Sequence, residues 1–251
     1  MNRCQNTGLG RNKPFLSSMK SADLRQEINT IIDHQIEHWN QTVPFATHFE
    51  GEQINQLYYQ RHLIETAWRI RLLRVAESKA LVEIAKCSPE AAQIWANYEM
   101  EEMLHDELFI QDLKKVGVSH ETLLNTEPYL STKLLAGFFS YLLDHESPLG
   151  VVAYSYLVEY VNVKLEPKKI DAMKKSIGET AIAGQVFHSH TDTNDDHPGE
   201  VWNALRYLIK DEQDIANLKK YLAELQEVLA MYFREIYSDI VGSTQQQQRA
   251  A

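Results

Sequence analysis

Six positions carry the residue types from which a metal centre is built: Glu102, His105, Glu159, His190, Asn194 and His197. Glu102 and His105 stand three apart, so on a helix they project from one face, a turn from each other. They fall inside an apolar stripe formed by Ile94, Trp95, Tyr98, Phe109 and Leu113. Burying a carboxylate beside an imidazole is costly unless something pairs with both. A bound cation does so, and a Glu–His hydrogen bond under a neighbouring helix does so too. Glu159 is the one charged residue between Leu149 and Val163. A buried acid in so apolar a segment is a functional candidate, its structural alternative being an ion pair with an arginine such as Arg69. His190 and His197 are seven apart, two helical turns, with Asn194 between them. The surrounding stretch, from His188 through Asp192, Asp195 and Asp196 to His197, also reads as a solvated polar loop. Together these imidazoles and carboxylates suit iron or manganese, and they lack the thiolates of a structural zinc site.

The elements that must position these groups are helical. Apolar residues recur at helical spacing in Leu24, Ile28, Ile31, Ile32, Ile36 and Trp39, predicting a helix from Ser21 to about Asn40. His34 and His38 on it are four apart and could share a metal, though their polar neighbours suit solvent. A long helix follows from about Gln53 to Lys86. Its charge run Arg69, Arg71, Arg74, Glu77 and Lys79 reads as a solvated face with local ion pairs. Ser88 as N-cap with Pro89 at the first position opens the helix of Glu102 and His105, which runs to near Gly117. Further helices are predicted over Tyr129–His145, from Pro148 to Glu166, from Lys169 toward His190, after Pro198, and over Asp214–Val241. The segment from Leu149 to Val163 is apolar nearly all round and so central. Strand signals are nearly absent. The expectation is an all-α chain, a single compact bundle of about seven helices over 21–241, with a flexible arm at 1–20 and a disordered tail at 242–251.

Composition sets outer bounds. The chain has 251 residues, 44% of them hydrophobic, enough for one sizeable core. A net charge of −10 and the absence of any basic stripe argue against nucleic acid as a partner. No apolar run reaches membrane length. The two cysteines, Cys4 and Cys87, are expected as free thiols, which together with the missing leader signature fits a soluble, cytoplasmic protein.

The site residues carry a resemblance. Ferritin-like diiron bundles repeat Glu-x-x-His on two helices; here it occurs once, and Glu159 is followed at the matching place by Asn162. The second histidine pair instead has the His-x6-His spacing. That pattern, in this chain order, resembles the haem-oxygenase-like diiron oxidases and oxygenases, of the same superfamily as thiaminase II and the pyrroloquinoline-quinone synthase C protein. The likeness covers roughly residues 53–240 and rests on spaced residues rather than extended identity. It implies that His105, Glu159 and His190 hold one iron, with Glu102 bridging to a second held by His197. The family's central Asp is Asn194 in this chain, a neutral and weaker ligand for a hard cation. Asp195 or Asp196 could replace it if Pro198 makes the helix irregular, and a second register would use His188, Asp192 and Asp195.

The resemblance implies a non-haem diiron oxidase that uses O2 on a small organic substrate, with two irons as cofactor (manganese as an alternative) and homodimerisation. Tyr98, Phe138, Phe139 and Tyr156 are candidates to line the substrate pocket. Three other readings compete. A thiaminase-like hydrolase needs a cysteine nucleophile that neither Cys4 nor Cys87 is placed to supply. A haem enzyme needs a proximal histidine such as His34 or His38 and a glycine-rich distal helix, whereas Gly178 and Gly184 are isolated. A helical binding protein that holds no metal, or a mononuclear one, is kept open by Asn194.

Overall fold

The computed structural model describes residues 13–43, 54–194 and 196–250, and their side chains other than those of 192–194 and 241–250. Every regular element among them is helical: α1 (Ser18–Thr42), α2 (Gln56–Cys87), α3 (Pro89–Glu102), α4 (Asp106–Lys115), α5 (His120–Asn125), α6 (Leu130–His145), α7 (Leu149–Ser176), α8 (Ala183–Asn194), α9 (His197–Leu208) and α10 (Glu212–Ala250), with a 3₁₀ turn at Glu179–Ile182 before α8. The all-α expectation holds. Most of the arm at 1–20 lies outside the described residues, and α10 continues past Val241 to Ala250.

Local chemistry sets the boundaries. Ser88 caps α3 by accepting from the Ala91 amide, with Pro89 at the first helical position. Gly117, at φ 85°, closes α4 while the Val118 amide reaches back to the Leu113 carbonyl. Three boundaries differ from expectation. The helix expected to run unbroken from Pro89 to Gly117 is interrupted at 103–105, where the amide of His105 bonds to the carbonyl of Glu102, three residues back. Pro167 does not end its helix: α7 runs through it to Ser176, with the exposed proline forgoing one hydrogen bond that its packing outweighs. The helix toward His190 begins only at Ala183 and stops at Asn194, because Asp196 adopts φ 50° and caps α9 through the Gly199 amide.

The apolar stripes bury as one core in two lobes. One gathers α1, α3, α6, α7 and α9, with the later half of α2 and the first half of α10, around Trp95, Phe139, Tyr156 and Leu222. The other gathers α2, α4 and α10 around Tyr59, Leu63, Leu113 and Ile236. The site lies where they meet. Cys87 is fully buried; Cys4 lies outside the described residues, and the free-thiol expectation with it. No described helix is long and apolar enough to cross a membrane.

Candidate metal centre

Five helix segments converge on a group of carboxylates and imidazoles. Glu102 is the last residue of α3 and His105 sits at the head of α4, so the helix break lies between the two. Glu159 comes from mid-α7, His188 from α8, and His197 is the first residue of α9. Two sets have their ligand atoms within 4.8 Å of one another: Glu102 with His105 and His188, and Glu102 with Glu159 and His197. Glu102 belongs to both.

The contacts fix which atoms face inward. One oxygen of Glu102 lies 2.7 Å from His105 Nδ1, and the other lies 3.4 Å from His197 Nδ1. The second oxygen of Glu159 is 3.7 Å from that same Nδ1, while its first accepts the Tyr98 hydroxyl at 2.8 Å. On its far side His197 Nε2 lies 2.9 Å from Glu101, an outer carboxylate of the kind that orients a metal-binding imidazole. The rings of His105 and His188 meet edge to face, 4.6 Å between centroids. Asp106 is buried and held by Arg71 and Arg74, which ties the start of α4 to α2. Asp112, fully buried, accepts the amides of Gly184 and Gln185 at 2.9 Å each and so clamps the start of α8 onto α4. That clamp places His188 against His105.

Of the six positions read from the sequence, Glu102, His105, Glu159 and His197 are brought together. His190 is exposed and belongs to neither set; His188, two residues earlier, takes the inward place. Since α8 ends before His197, the seven-residue spacing of His190 and His197 spans two helices and no longer means one face. The Asn194 side chain, that of Asp192 and all of Asp195 lie outside the described residues. Glu159 pairs with His197 rather than with His105. His34 and His38 are exposed.

Sequence reasoning placed Glu77 on a solvated face. Instead it is half-buried and lines a cavity of about 180 Å³ together with Tyr98, Glu99, Glu102, Glu159 and His188. The cue was its place on the face of His62, Thr66, Arg69 and Leu73. Tyr98 lines the cavity as expected. Phe138, Phe139 and Tyr156 do not: Phe139 packs on Tyr154, and the Tyr156 hydroxyl donates to Asn29.

The electrostatics reveal an excess of acid. Burial and the charge of Glu102 push the Glu99 carboxyl up to about 8. Burial, with the charges of Glu99, Glu102 and Glu159, raises Glu77 well above the carboxylate range, and Arg74 offsets this only in part. Burial also acts on Glu102, but hydrogen bonds with His105 and His197 prevail and hold it at about 2. For His197 burial works against the charged form, and the hydrogen bonds and charges of Glu102 and Glu159 raise it to about 11. Without a cation, then, protons on Glu99 and His197 offset part of this acid. Glu102, Glu159 and His188 on the cavity wall, with His105 and His197 against Glu102 and no thiolate among them, form a donor set into which divalent iron or manganese fits.

Comparison with known proteins supports this reading at the level of family and fold. The profile of a family described as iron-containing redox enzymes matches residues 60–232. Among solved structures, a domain of unknown function with a heme oxygenase-like fold from Shewanella denitrificans OS217 superposes with a TM-score of 0.75 at 17% identity, covering 89% of this chain and 94% of that one. A TenA homolog from Pseudomonas syringae pv. tomato str. DC3000 gives 0.69 at 11% identity over 92% and 99%. A CADD-like protein of unknown function from Nostoc punctiforme PCC 73102 gives 0.67 at 15% identity over 88% and 99%. At such identities the likeness establishes the fold, which is haem-oxygenase-like. No curated protein matches by sequence. The family match spans well over half the chain, and with the fold it makes this protein a member of the iron-containing redox enzymes of haem-oxygenase-like fold.

Proposed function

We propose that the chain is a non-haem diiron oxidase that uses O2 to oxidise a small organic substrate. The observation that carries this is the shared carboxylate: Glu102 stands in both ligand sets, which is how a bridge between two ions is built. In this reading Glu102, His105 and His188 would hold one iron, and Glu102, Glu159 and His197 would hold the other. Manganese is the alternative occupant. A ferrous pair so held supplies the electrons with which O2 is reduced.

The remaining roles fall to the protein. Tyr98 donates to one oxygen of Glu159 and leaves the other directed at the site. Glu101 accepts from His197 Nε2–H, which leaves Nδ1 as the donor lone pair. Leu73, Leu157, Val161 and Leu229 give the cavity an apolar wall. Glu99 holds a proton at the cavity wall at neutral pH.

The thiaminase-like reading loses support from Cys87, which is fully buried and absent from the cavity wall. Exposure of anaerobically iron-loaded protein to O2 tests the proposal: both ferrous ions should be oxidised, with O2 consumed in proportion to bound iron. Bound iron that stays ferrous in air would overturn it.

A further inference from the structure

The cavity has two ends of opposite chemistry. On α2 the lining residues His62, Thr66, Arg69, Leu73 and Glu77 follow one face at three- and four-residue steps, and on α7 Glu159, Asn162, Glu166 and Lys169 do the same. Glu77 and Glu159 act on each other at the acidic end, and Arg69 and Lys169 act on each other at the opposite one. At 1.5 Å per residue, Arg69 stands roughly 12 Å along α2 from Glu77, and Lys169 roughly 15 Å along α7 from Glu159.

The cationic end is buried and built. Lys169 is only 8% exposed, its Nζ is 3.3 Å from His62 Nε2, and His62 Nδ1 is 2.6 Å from the Tyr232 hydroxyl. The Arg69 guanidinium lies 5.9 Å from the centroid of the Tyr232 ring. Glu166 acts on Lys169, and Glu65, held by Arg61 at 2.7 Å, acts on Arg69. Among the buried donors on the cavity wall without a hydrogen-bond partner are the indole Nε1 of Trp39 and the hydroxyl of Thr66. An indole N–H can only donate, so what would satisfy it is an acceptor.

We propose that the substrate is a small elongated organic anion whose carboxylate docks at Arg69 and Lys169, with its other end directed at the Glu102–Glu159 cluster. The carboxylate supplies the acceptor that Trp39 and Thr66 face, beside the two cationic side chains. This deepens the oxidase reading and rests on it for the identity of the opposite end. The cavity, about 180 Å³, suits a compact ligand.

Hexanoate, hexylamine and hexanol, alike in chain and different in head group, are titrated calorimetrically into chelator-treated and iron(II)-loaded protein. Hexanoate should bind at least about tenfold more tightly than either of the others, in the absence of iron as well as in its presence. Arg69→Gln and Lys169→Gln should each weaken hexanoate about tenfold and leave hexanol binding and bound iron unchanged, with Lys169→Arg retaining affinity. Equal binding of hexanoate and hexanol, or Gln variants that bind hexanoate as wild type does, would overturn the anion site; should a variant fail to fold, the wild-type series decides. The two readings separate cleanly. Hexanoate selectivity without iron binding contradicts the oxidase and keeps the anion site; iron binding without selectivity does the reverse.

Discussion

Replacing Glu99 by Gln should remove most of the pH dependence of stability that the iron-free protein shows on the alkaline side of pH 5. In the folded chain, burial and the neighbouring charge of Glu102 hold the Glu99 proton up to about 8, against an ordinary value of 4.5. Between these values the folded state keeps a proton that the unfolded state has released, so stability falls as pH rises through the window and the contribution is lost above 8. A single group contributes at most about 1.4 kcal/mol per pH unit, and the whole window therefore no more than about 5 kcal/mol. Glutamine mimics the protonated acid in shape and cannot ionise. The variant should match wild type near pH 5 and be the more stable one at pH 8, by several kcal/mol. Glu77, whose carboxyl is raised in part by Glu99, should then titrate closer to its ordinary range. Urea unfolding of chelator-treated protein at half-unit steps from pH 5 to 9 measures this. A residual decline belongs to Glu77, which burial still raises, and to His197, raised to about 11, whose contribution is complete below 6.5 and shrinks as pH rises toward 11. Parallel profiles for wild type and variant would refute the claim that an uncompensated acid sits beside the site.

Three further outcomes follow from the geometry. His188→Ala should lower the bound iron by one per chain and His190→Ala should leave it unchanged, as counted by metal analysis; the reverse would mean that α8 presents its other face. A Cβ at Gly184 would lie 2.3 Å from the Leu108 carbonyl oxygen, and that backbone cannot yield. Gly184→Ala should therefore push α8 off α4, cost about 2–3 kcal/mol in denaturant unfolding and loosen iron at the His105–His188 position. Tyr98→Phe removes the donor to Glu159 and should cost the iron-free protein about 1–2 kcal/mol, with iron still bound because Glu159 keeps its inward oxygen.

The helical architecture and four of the residues that the structure brings together could be read from the sequence because both are local signals. Ser88-Pro89 is a start signal in any context. Glu102 and His105 lie in an apolar stripe, and Glu159 lies alone in an apolar helix, so burial of charge was visible before any contact was known. His188 was a different matter. Choosing it over His190 required knowing that α8 ends at Asn194 and that Asp196 turns the chain with a positive φ, a break that Pro198 hinted at without locating. Arg69 and Glu77 were hidden by their arginine-rich neighbours; Arg71 and Arg74 do form ion pairs, with Asp106 of α4, but the face one turn away opens on the cavity. The run of α7 through Pro167 could not be read at all, since the packing that tolerates the proline comes from distant elements. It matters functionally, because only an unbroken α7 carries Lys169 and Glu159 along one wall.

The central claim, two ions sharing Glu102, is tested most directly by anaerobic iron(II) titration of the full chain, with Mössbauer spectra taken at saturation. The account predicts two ferrous ions per chain in two environments, and loss of both in Glu102→Ala while the helical circular-dichroism signal persists. A saturating count of one, or two ions that survive in Glu102→Ala, would contradict it.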